Sequence, residues 1–516
     1  MPLIIKKIVI LTILAGLTAP VLAQTSDNGF PVKRPETPET WKRDGEAAIS
    51  RAKNLSFKRR KAKNVILFIG DGMGISTLTA ARILEGQLRG ESGEENLLSF
   101  ERFPFMALSR TYSVNQQTSD SAPTMSAIMT GVKTDEGIIS VNQNVVRGDY
   151  KSVKGNEART LLEMAEESGK STGVVTTARL THATPAACYS HSPDRNWESD
   201  ADIFNSSKEA YQAGFPDIAR QLIEFPFGDG LEVAMGGGRS WFLPKDMPDP
   251  EYPGFERATG LRLDKRDLTR EWQTKYRDSQ YVWNKEQFDA VDSKKTKHLL
   301  GLFDPSHLKY EVDRKIDKSG EPSLSEMTAK AIDILSNNKK GYFLMVEAGK
   351  IDHGHHDGNA FRALTEAIEL SNAVRTAEQK VNLKDTLIIV TADHSHTMTI
   401  SGYPARGNNI LGLVREVGPN GKPNETPALD KNKKPYTTLG YANGTGSRDG
   451  ERPELTQEQV TKPDYKQEAL IPLSSETHGG EDVGIFANGV NSWMVHGVME
   501  ENWIFYVMKE ALRLKD

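Results

Sequence analysis

Glu347-Ala-Gly-Lys-Ile-Asp352-His353-Gly-His355-His356 puts three imidazoles and two carboxylates within ten residues. Imidazole nitrogen mixed with carboxylate oxygen suits zinc, or a pair of divalent ions. Asp352 and His356 are four apart, so one helical turn brings both to one face. Asp393-His394, with His396 two residues on, offers the same donors again. His478 stands in Glu476-Thr-His-Gly-Gly480, and His182 and Thr184 in Thr181-His-Ala-Thr-Pro185. Asp71 lies between glycines in Gly70-Asp-Gly-Met-Gly74, where backbone can come close to an ion or phosphate. A turn Asp would have the same neighbours. Of the 11 histidines, eight (His182, His191, His353, His355, His356, His394, His396 and His478) fall in four short stretches. That concentration speaks for metal binding over isolated core histidines.

A nucleophile is offered by Ser121, in Thr118-Ser-Asp-Ser121-Ala-Pro-Thr124, just before an apolar helix expected over about Thr124–Met129 and ending at Gly131. A Ser in that place can be a cap alone. Beside a metal site it also lies where amides and helix dipole favour a phosphate, and where a coordinated hydroxyl becomes nucleophilic. Arg195, in Pro193-Asp-Arg195-Asn-Trp197, has the planar fork that clamps two phosphate oxygens; a surface ion pair is the other reading.

These residues follow apolar segments that read as strands: Asn64–Ile69, Gly173–Thr176, Leu231–Ala234, Tyr342–Val346, Thr386–Val390 and Val483–Phe486. Helices are expected over about Ser76–Leu88, Thr160–Ser168, Asp217–Glu224, Ser323–Ser336, Ala360–Val381 and Glu500–Leu512. The alternation predicts an α/β fold, a mostly parallel central sheet sandwiched by helices. In such sheets functional groups gather at the carboxyl ends of strands. From Gly402 to about Leu470 the chain turns polar and rich in Gly, Pro, Asn and Lys, which reads as an inserted subdomain or long ordered loop. An N-terminal helix is expected from about Glu39 to Leu55, after Thr37-Pro38.

The chain has 516 residues with 37% apolar and 26% charged, ordinary for a soluble protein of one large domain with insertions or of two to three domains. Its net charge of −5 gives no basic footprint, so no nucleic acid is expected as a dedicated partner. Lys6-Lys7, the apolar run Ile8–Ala19 and the small residues of Val21-Leu-Ala23 read as a signal peptide over 1–23, with a mature start at Gln24. Export, to a periplasm or the medium, is expected. The apolar run is too short to span a bilayer, and the C-terminus has no apolar tail, so no membrane anchor is expected. Cys188, the one cysteine, reads as a small buried hydrophobe; a single cysteine forms no internal disulfide.

The segments Gly70–Gly74, Asp120-Ser121-Ala122, His182–Ala186, His191–Arg195, Glu347–His356, Thr391–His396 and Glu476–Gly480 resemble, in order, those of alkaline phosphatases, from about Trp41 to the C-terminus. His182 and His353 are similar to the animal-type branch. The resemblance implies a phosphomonoesterase that works through a phosphoserine on Ser121, with Arg195 on the phosphate, two zinc ions and one magnesium. It implies Asp352, His356 and His478 at the first zinc, and Asp71, Ser121, Asp393 and His394 at the second. Asp71, Thr184 and Glu347 would hold magnesium, with His182 and His353 acting through water or phosphate. Glu251, Phe303, Asp304 and Glu321 look like a structural calcium site, with Asp304 where Glu is usual and Glu321 where Asp is usual. Residues 401–470 resemble the family's crown and 24–60 its N-terminal arm and helix, around a catalytic domain of 61–400 and 471–516. Both appendages imply a homodimer, with Tyr403 at the position that crosses the interface.

Overall fold

The computed structural model describes residues 37–55, 57–254, 258–448 and 450–515. The expected signal peptide, 1–23, and the start at Gln24 lie outside the described residues.

The segment Asn64–Gly70 is buried at every position after the first. Its side chains alternate between two cores. Val65, Leu67 and Ile69 face one and Ile66 and Phe68 the other. A strand covered on both faces needs an unbroken apolar run, which is why Val-Ile-Leu-Phe-Ile appears here. Each such side chain contributes on the order of 1.5–3 kcal/mol by leaving water.

This strand lies mid-way in a ten-stranded sheet. In space the order is Gly497–Glu500, Phe105–Arg110, Val483–Gly489, Thr386–Thr391, Asn64–Gly70, Tyr342–Ala348, Ser171–Arg179, Val233–Gly237, His298–Leu302 and Ser279–Val282. Every pairing is parallel except the two made by Val483–Gly489. Helices cover both faces. Several begin as expected, because Ser/Thr caps meet Glu three residues on: Thr160 with Glu163 and Ser323 with Glu326. Asn359 caps the 21-residue helix Ala360–Lys380.

The C-terminal region differs from expectation. Helix Trp503–Leu512 starts later, because Gly497–Glu500 is first used as an edge strand. Strands Phe105–Arg110, Ser279–Val282 and His298–Leu302 were not anticipated either. The first two are only partly buried and lack a continuous apolar run; the third is short and broken by Gly301.

Around the polar stretch, Met398–Ile400, just before it, joins Leu439–Gly444 and Ala469–Pro472 in a three-stranded sheet of their own. Leu413, Leu455 and Val460 make a small core beside Tyr465. At the N-terminus, helix Pro38–Lys53 is closed by a capping box between Thr37 and Thr40.

Register decides what the sheet presents. Ile69 lies opposite both Glu347 and Thr391, and Glu347 opposite Thr176. Asp71, Glu347 and Asp393 therefore emerge side by side at the carboxyl ends of three adjacent parallel strands.

Candidate metal centre and active site

The floor of the site is Asp71, Glu347, Asp393 and Thr184, all fully buried. Both carboxylate oxygens of Asp71, Oε1 of Glu347, Oδ2 of Asp393 and Oγ1 of Thr184 have no hydrogen-bond partner. A buried unpaired polar group is costly, and five converging oxygens are a strong departure from normal satisfaction. Burial, then the charges of Asp393, Asp352 and Glu347, hold Asp71 well above the usual carboxylate range. Burial pushes Glu347 up to about 7, although the Thr176 hydroxyl donates to its other oxygen. A divalent cation relieves both problems at once, and an all-oxygen donor set is the kind magnesium takes.

One turn away, helix Lys350–His356 carries Asp352 and His356 on one face, as their spacing predicts. His356 Nε2 lies 3.2 Å from Asp352 Oδ1 and 3.2 Å from His478 Nε2, which is itself 3.4 Å from Asp352. The far nitrogens are anchored: His356 Nδ1 is 2.6 Å from the Glu476 carbonyl and His478 Nδ1 2.7 Å from that of Ser119. Those carbonyls accept Nδ1–H, which leaves both Nε2 lone pairs turned towards Asp352. This tautomer is the one a metal-binding imidazole needs, and the donor set fits zinc. His478 is delivered by a two-residue antiparallel bridge that pairs it with His396.

Ser121 is the first residue of helix Ser121–Thr130, three residues earlier than expected. Asp120 caps it by accepting from the Ala122 amide, and Pro123 is tolerated because first-turn amides have no helical acceptor. Ser121 Oγ lies 3.0 Å from His394 Nε2, which is 3.4 Å from both Asp71 and Asp393 carboxylates. Asp393 in turn accepts from the Gly72 amide at 3.1 Å. Gly72 has φ +68°, and a Cβ there would lie 2.3 Å from the His396 ring, so both backbone and space require glycine. Arg195 pairs with Asp120 through one nitrogen, while its other lies 3.1 Å from His182 Nε2. The ion pair weighed as the other reading for Arg195 does exist, but it is partly buried and holds the guanidinium against the residue next to Ser121.

Three groups of metal-capable side chains close within this one pocket: Asp71 with Asp393 and His394; Asp352 with His394, His396 and His478; and His356 with His396 and Glu476. A family model described as alkaline phosphatase matches residues 62–514.

The chain belongs to the alkaline phosphatase family.

Atlantic cod (Gadus morhua) alkaline phosphatase is 44% identical over 94% of this chain and 98% of its own length. The tissue-nonspecific isozyme of Rattus norvegicus is 43% identical over 94% of this chain and 90% of its own. Among solved structures, Thermus thermophilus alkaline phosphatase has a TM-score of 0.62 at 23% identity, covering 90% of this chain and 94% of that one. The enzyme from the Antarctic bacterium TAB5 has a TM-score of 0.59 at 21% identity, covering 89% and 100%. The structural likenesses bear on the fold, and the sequence relatives bear on the activity: this is a phosphomonoesterase of the alkaline phosphatase kind, with the His/Asp metal clusters that go with it.

Two histidines of the alkaline phosphatase site have roles that the sequence does not show. His396 Nε2 lies 2.7 Å from Asp352 and its Nδ1 2.5 Å from Glu476. Burial opposes its charge, but those two carboxylates outweigh it and raise His396 to about 9. It is an imidazolium clasped between Asp352 and Glu476 that orients Asp352. Its place in the Thr391–His396 motif was visible; its partners were not. His307 had no signal in sequence. Its ring stands edge-to-face 4.2 Å from His353 and 5.3 Å from His182. Its Nδ1 accepts the Arg179 amide at 3.2 Å, and Arg179 forms a two-bond pair with Glu198. Burial lowers all three imidazoles, followed by Arg195 and Arg179 for His182 and by Lys350 for His353, which is held down to about 3. His355, by contrast, is structural: Nε2 meets Thr77 Oγ1 at 2.9 Å and Nδ1 the Tyr441 hydroxyl at 2.8 Å.

The four expected calcium residues converge away from this pocket, with cations already among them. Arg239 pairs with Asp249 at 2.8 Å and with Glu251 at 2.7 Å, and Lys309 pairs with Asp304 at 2.6 Å. Glu321 accepts from the Lys309 amide at 2.9 Å, while its Oε1 and Oδ2 of Asp317 are unpartnered. Burial and the Asp304 charge push Glu321 up to about 8; burial and Asp317 push Glu251 to about 7. Phe303 is fully buried just past strand His298–Leu302, beside Asp304.

Proposed function

We propose that Ser121 is the nucleophile of this phosphomonoesterase and that Arg195 holds the phosphate. The observation that carries this is Ser121 Oγ at a capped helix start, 3.0 Å from His394 and beside the orphaned oxygens of Asp71 and Asp393. Asp71, Thr184 and Glu347 would hold magnesium. Asp352, His356 and His478 would hold one zinc, and Asp71, Ser121, Asp393 and His394 the other. Bound there, the ions supply Lewis-acid stabilisation of the oxygens that attack and leave phosphorus.

The chain's own groups do the rest. The helix amides at Ser121 and the guanidinium of Arg195 face the equatorial oxygens, so the monoester is presented in line to Ser121 Oγ. The Oγ–P bond forms as the ester P–O bond breaks, and the alcohol leaves with a proton. Water then cleaves the Ser121–phosphorus bond and releases inorganic phosphate. The neutral imidazoles of His182 and His353 flank the phosphate and add hydrogen bonds without competing for the metals.

Calcium at Glu251, Phe303, Asp304 and Glu321 is supported by the unpartnered oxygens of Glu321 and Asp317, and would draw Asp304 away from Lys309. A homodimer is supported by the exposure of Tyr403 and Leu470, each 83%, on the small sheet and its approach. Residues 401–470 would be the crown in that assembly and 24–60 the arm, around a catalytic domain of 61–400 and 471–516. Export, to a periplasm or the medium, rests on the N-terminal sequence pattern. No described helix is long and apolar enough to cross a membrane.

The test is metal analysis beside turnover. Ser121→Ala should keep about two zinc and one magnesium per chain and lose turnover of an aryl phosphate by roughly 10⁴-fold or more. Acid quenching of the parent during turnover should trap phosphate on Ser121. Near-parent turnover by Ser121→Ala would sink the assignment, and a fourth, calcium ion per chain would support the Glu251–Glu321 site.

A further inference from the structure

The end of the sheet opposite the metal centre holds a groove of about 510 Å³, walled by the C-terminal turns of helices Leu161–Glu167 and Trp503–Leu512 and by the residues that lead into strands Asn64–Gly70 and Tyr342–Ala348. Among the described residues six cations line it, Lys61, Arg159, Lys170, Lys340, Arg513 and Lys515, against one acid, Glu167. In a chain whose net charge is −5, that local excess of five positive charges runs against the whole. Glu167 is taken up by Arg159. Among the described residues no carboxylate pairs with the other five.

The floor is built, not merely surface. Lys170 is 4% exposed, and its ammonium donates to the Lys63 carbonyl at 2.8 Å and the Lys340 carbonyl at 2.7 Å. An ammonium has three N–H donors, so one is left at the groove floor without a partner among the described residues. Lys340 folds in over Gly169: a Cβ on that glycine would lie 2.6 Å from the Lys340 amine. Burial, then Lys61 and Lys63, lower Lys170 to about 8, as expected where like charges are crowded without counter-charge. The two helix ends present about half a negative charge each, which one or two cations offset. Six cations exceed that need.

We propose that this groove binds a small anion carrying several phosphate groups, of the tripolyphosphate class, apart from the catalytic centre. A single phosphate dianion would leave most of the excess charge unmatched. An extended nucleic acid would run beyond the groove, and a chain of net charge −5 gives it no general attraction.

Titration calorimetry at low ionic strength tests this on the full, metal-loaded chain bearing Ser121→Ala, with tripolyphosphate as the probe. Lys61→Gln/Lys340→Gln/Arg513→Gln changes exposed side chains outside the catalytic machinery. That triple variant should bind one tripolyphosphate fewer per chain than its parent. A control triple elsewhere on the surface, Lys294→Gln/Lys315→Gln/Lys431→Gln, should keep it. Equal binding by parent and groove variant overturns the site, and equal loss in the control reduces it to bulk electrostatics. Inorganic phosphate filling the groove as tightly as tripolyphosphate overturns the ligand class. Arg513→Gln alone, just past the last helix, should weaken the groove's tripolyphosphate by about threefold to tenfold; an unchanged affinity counts against the proposal even if the triple variant fails to fold.

Discussion

Asp120 holds Arg195 while it caps the helix that begins with Ser121. One carboxylate thus sets both the aim of the guanidinium and the position of Ser121, the two groups proposed to hold and to attack the phosphate. Asp120→Asn separates the two tasks, since Asn caps about as well as Asp but carries no charge for the guanidinium. The variant should melt within a few degrees of the parent, while competitive inhibition by phosphate weakens roughly threefold to tenfold. Unchanged inhibition would mean that Arg195 is aimed by His182 alone.

His396 keeps Asp352 and Glu476 apart as a bridging imidazolium. In His396→Gln the two buried carboxylates lose their shared cation, at a cost of about 3–5 kcal/mol. Zinc at Asp352, His356 and His478 should bind about 10–100-fold more weakly, because Asp352 is no longer oriented. Chelator competition measures the affinity and urea melts the stability; parent-like zinc retention would show that Asp352 is held by its helix alone.

His307 packs edge-on against both His182 and His353. If its part is to fix those rings, shape matters more than its nitrogens. His307→Phe should stay within about threefold of parent kcat/KM, and His307→Ala should fall roughly tenfold, mainly through KM. A Phe variant as poor as Ala would instead assign the work to the Nδ1 contact with the Arg179 amide.

Glu166 and Glu232 lie close to one another, outside the His/Asp clusters. Burial, then the Glu232 charge, raises Glu166 to about 9; burial raises Glu232 to about 8 despite hydrogen bonds from Ser171 and Thr172. The folded chain therefore keeps protons that the unfolded chain releases above about pH 4.3. This part of the stability is complete below that pH and is lost as pH rises through about 8 to 9. Glu166→Gln should match the parent at pH 5 and exceed it by about 1–3 kcal/mol at pH 9 in urea melts. Parallel pH profiles for the two proteins would rule the pair out as the source of alkaline instability.

The parallel sheet was readable because strands buried on both faces must be written in unbroken apolar residues, as in Val65–Ile69, and because Ser323 and Thr160 announce their helices. The carboxylates and imidazoles that meet in the pocket were readable because most of them follow those strands directly. What stayed hidden was every relation set by side chains meeting from distant segments. His307 reaches His182 and His353 across the fold, Glu476 reaches His396, and Asp120 reaches Arg195. The edge strand Gly497–Glu500 and its neighbour Phe105–Arg110 were hidden for another reason. Half-covered strands tolerate polar residues, so no periodicity marks them.

The two-residue bridge between His396 and His478 spans the whole polar excursion. His478 is 122 residues from His356, the imidazole it faces across Asp352. No stretch of the chain short enough to form early holds a complete ligand set. The centre therefore cannot seed folding as a zinc finger does. Its side chains meet only where the long loop between them has closed, so metal uptake should report a completed fold.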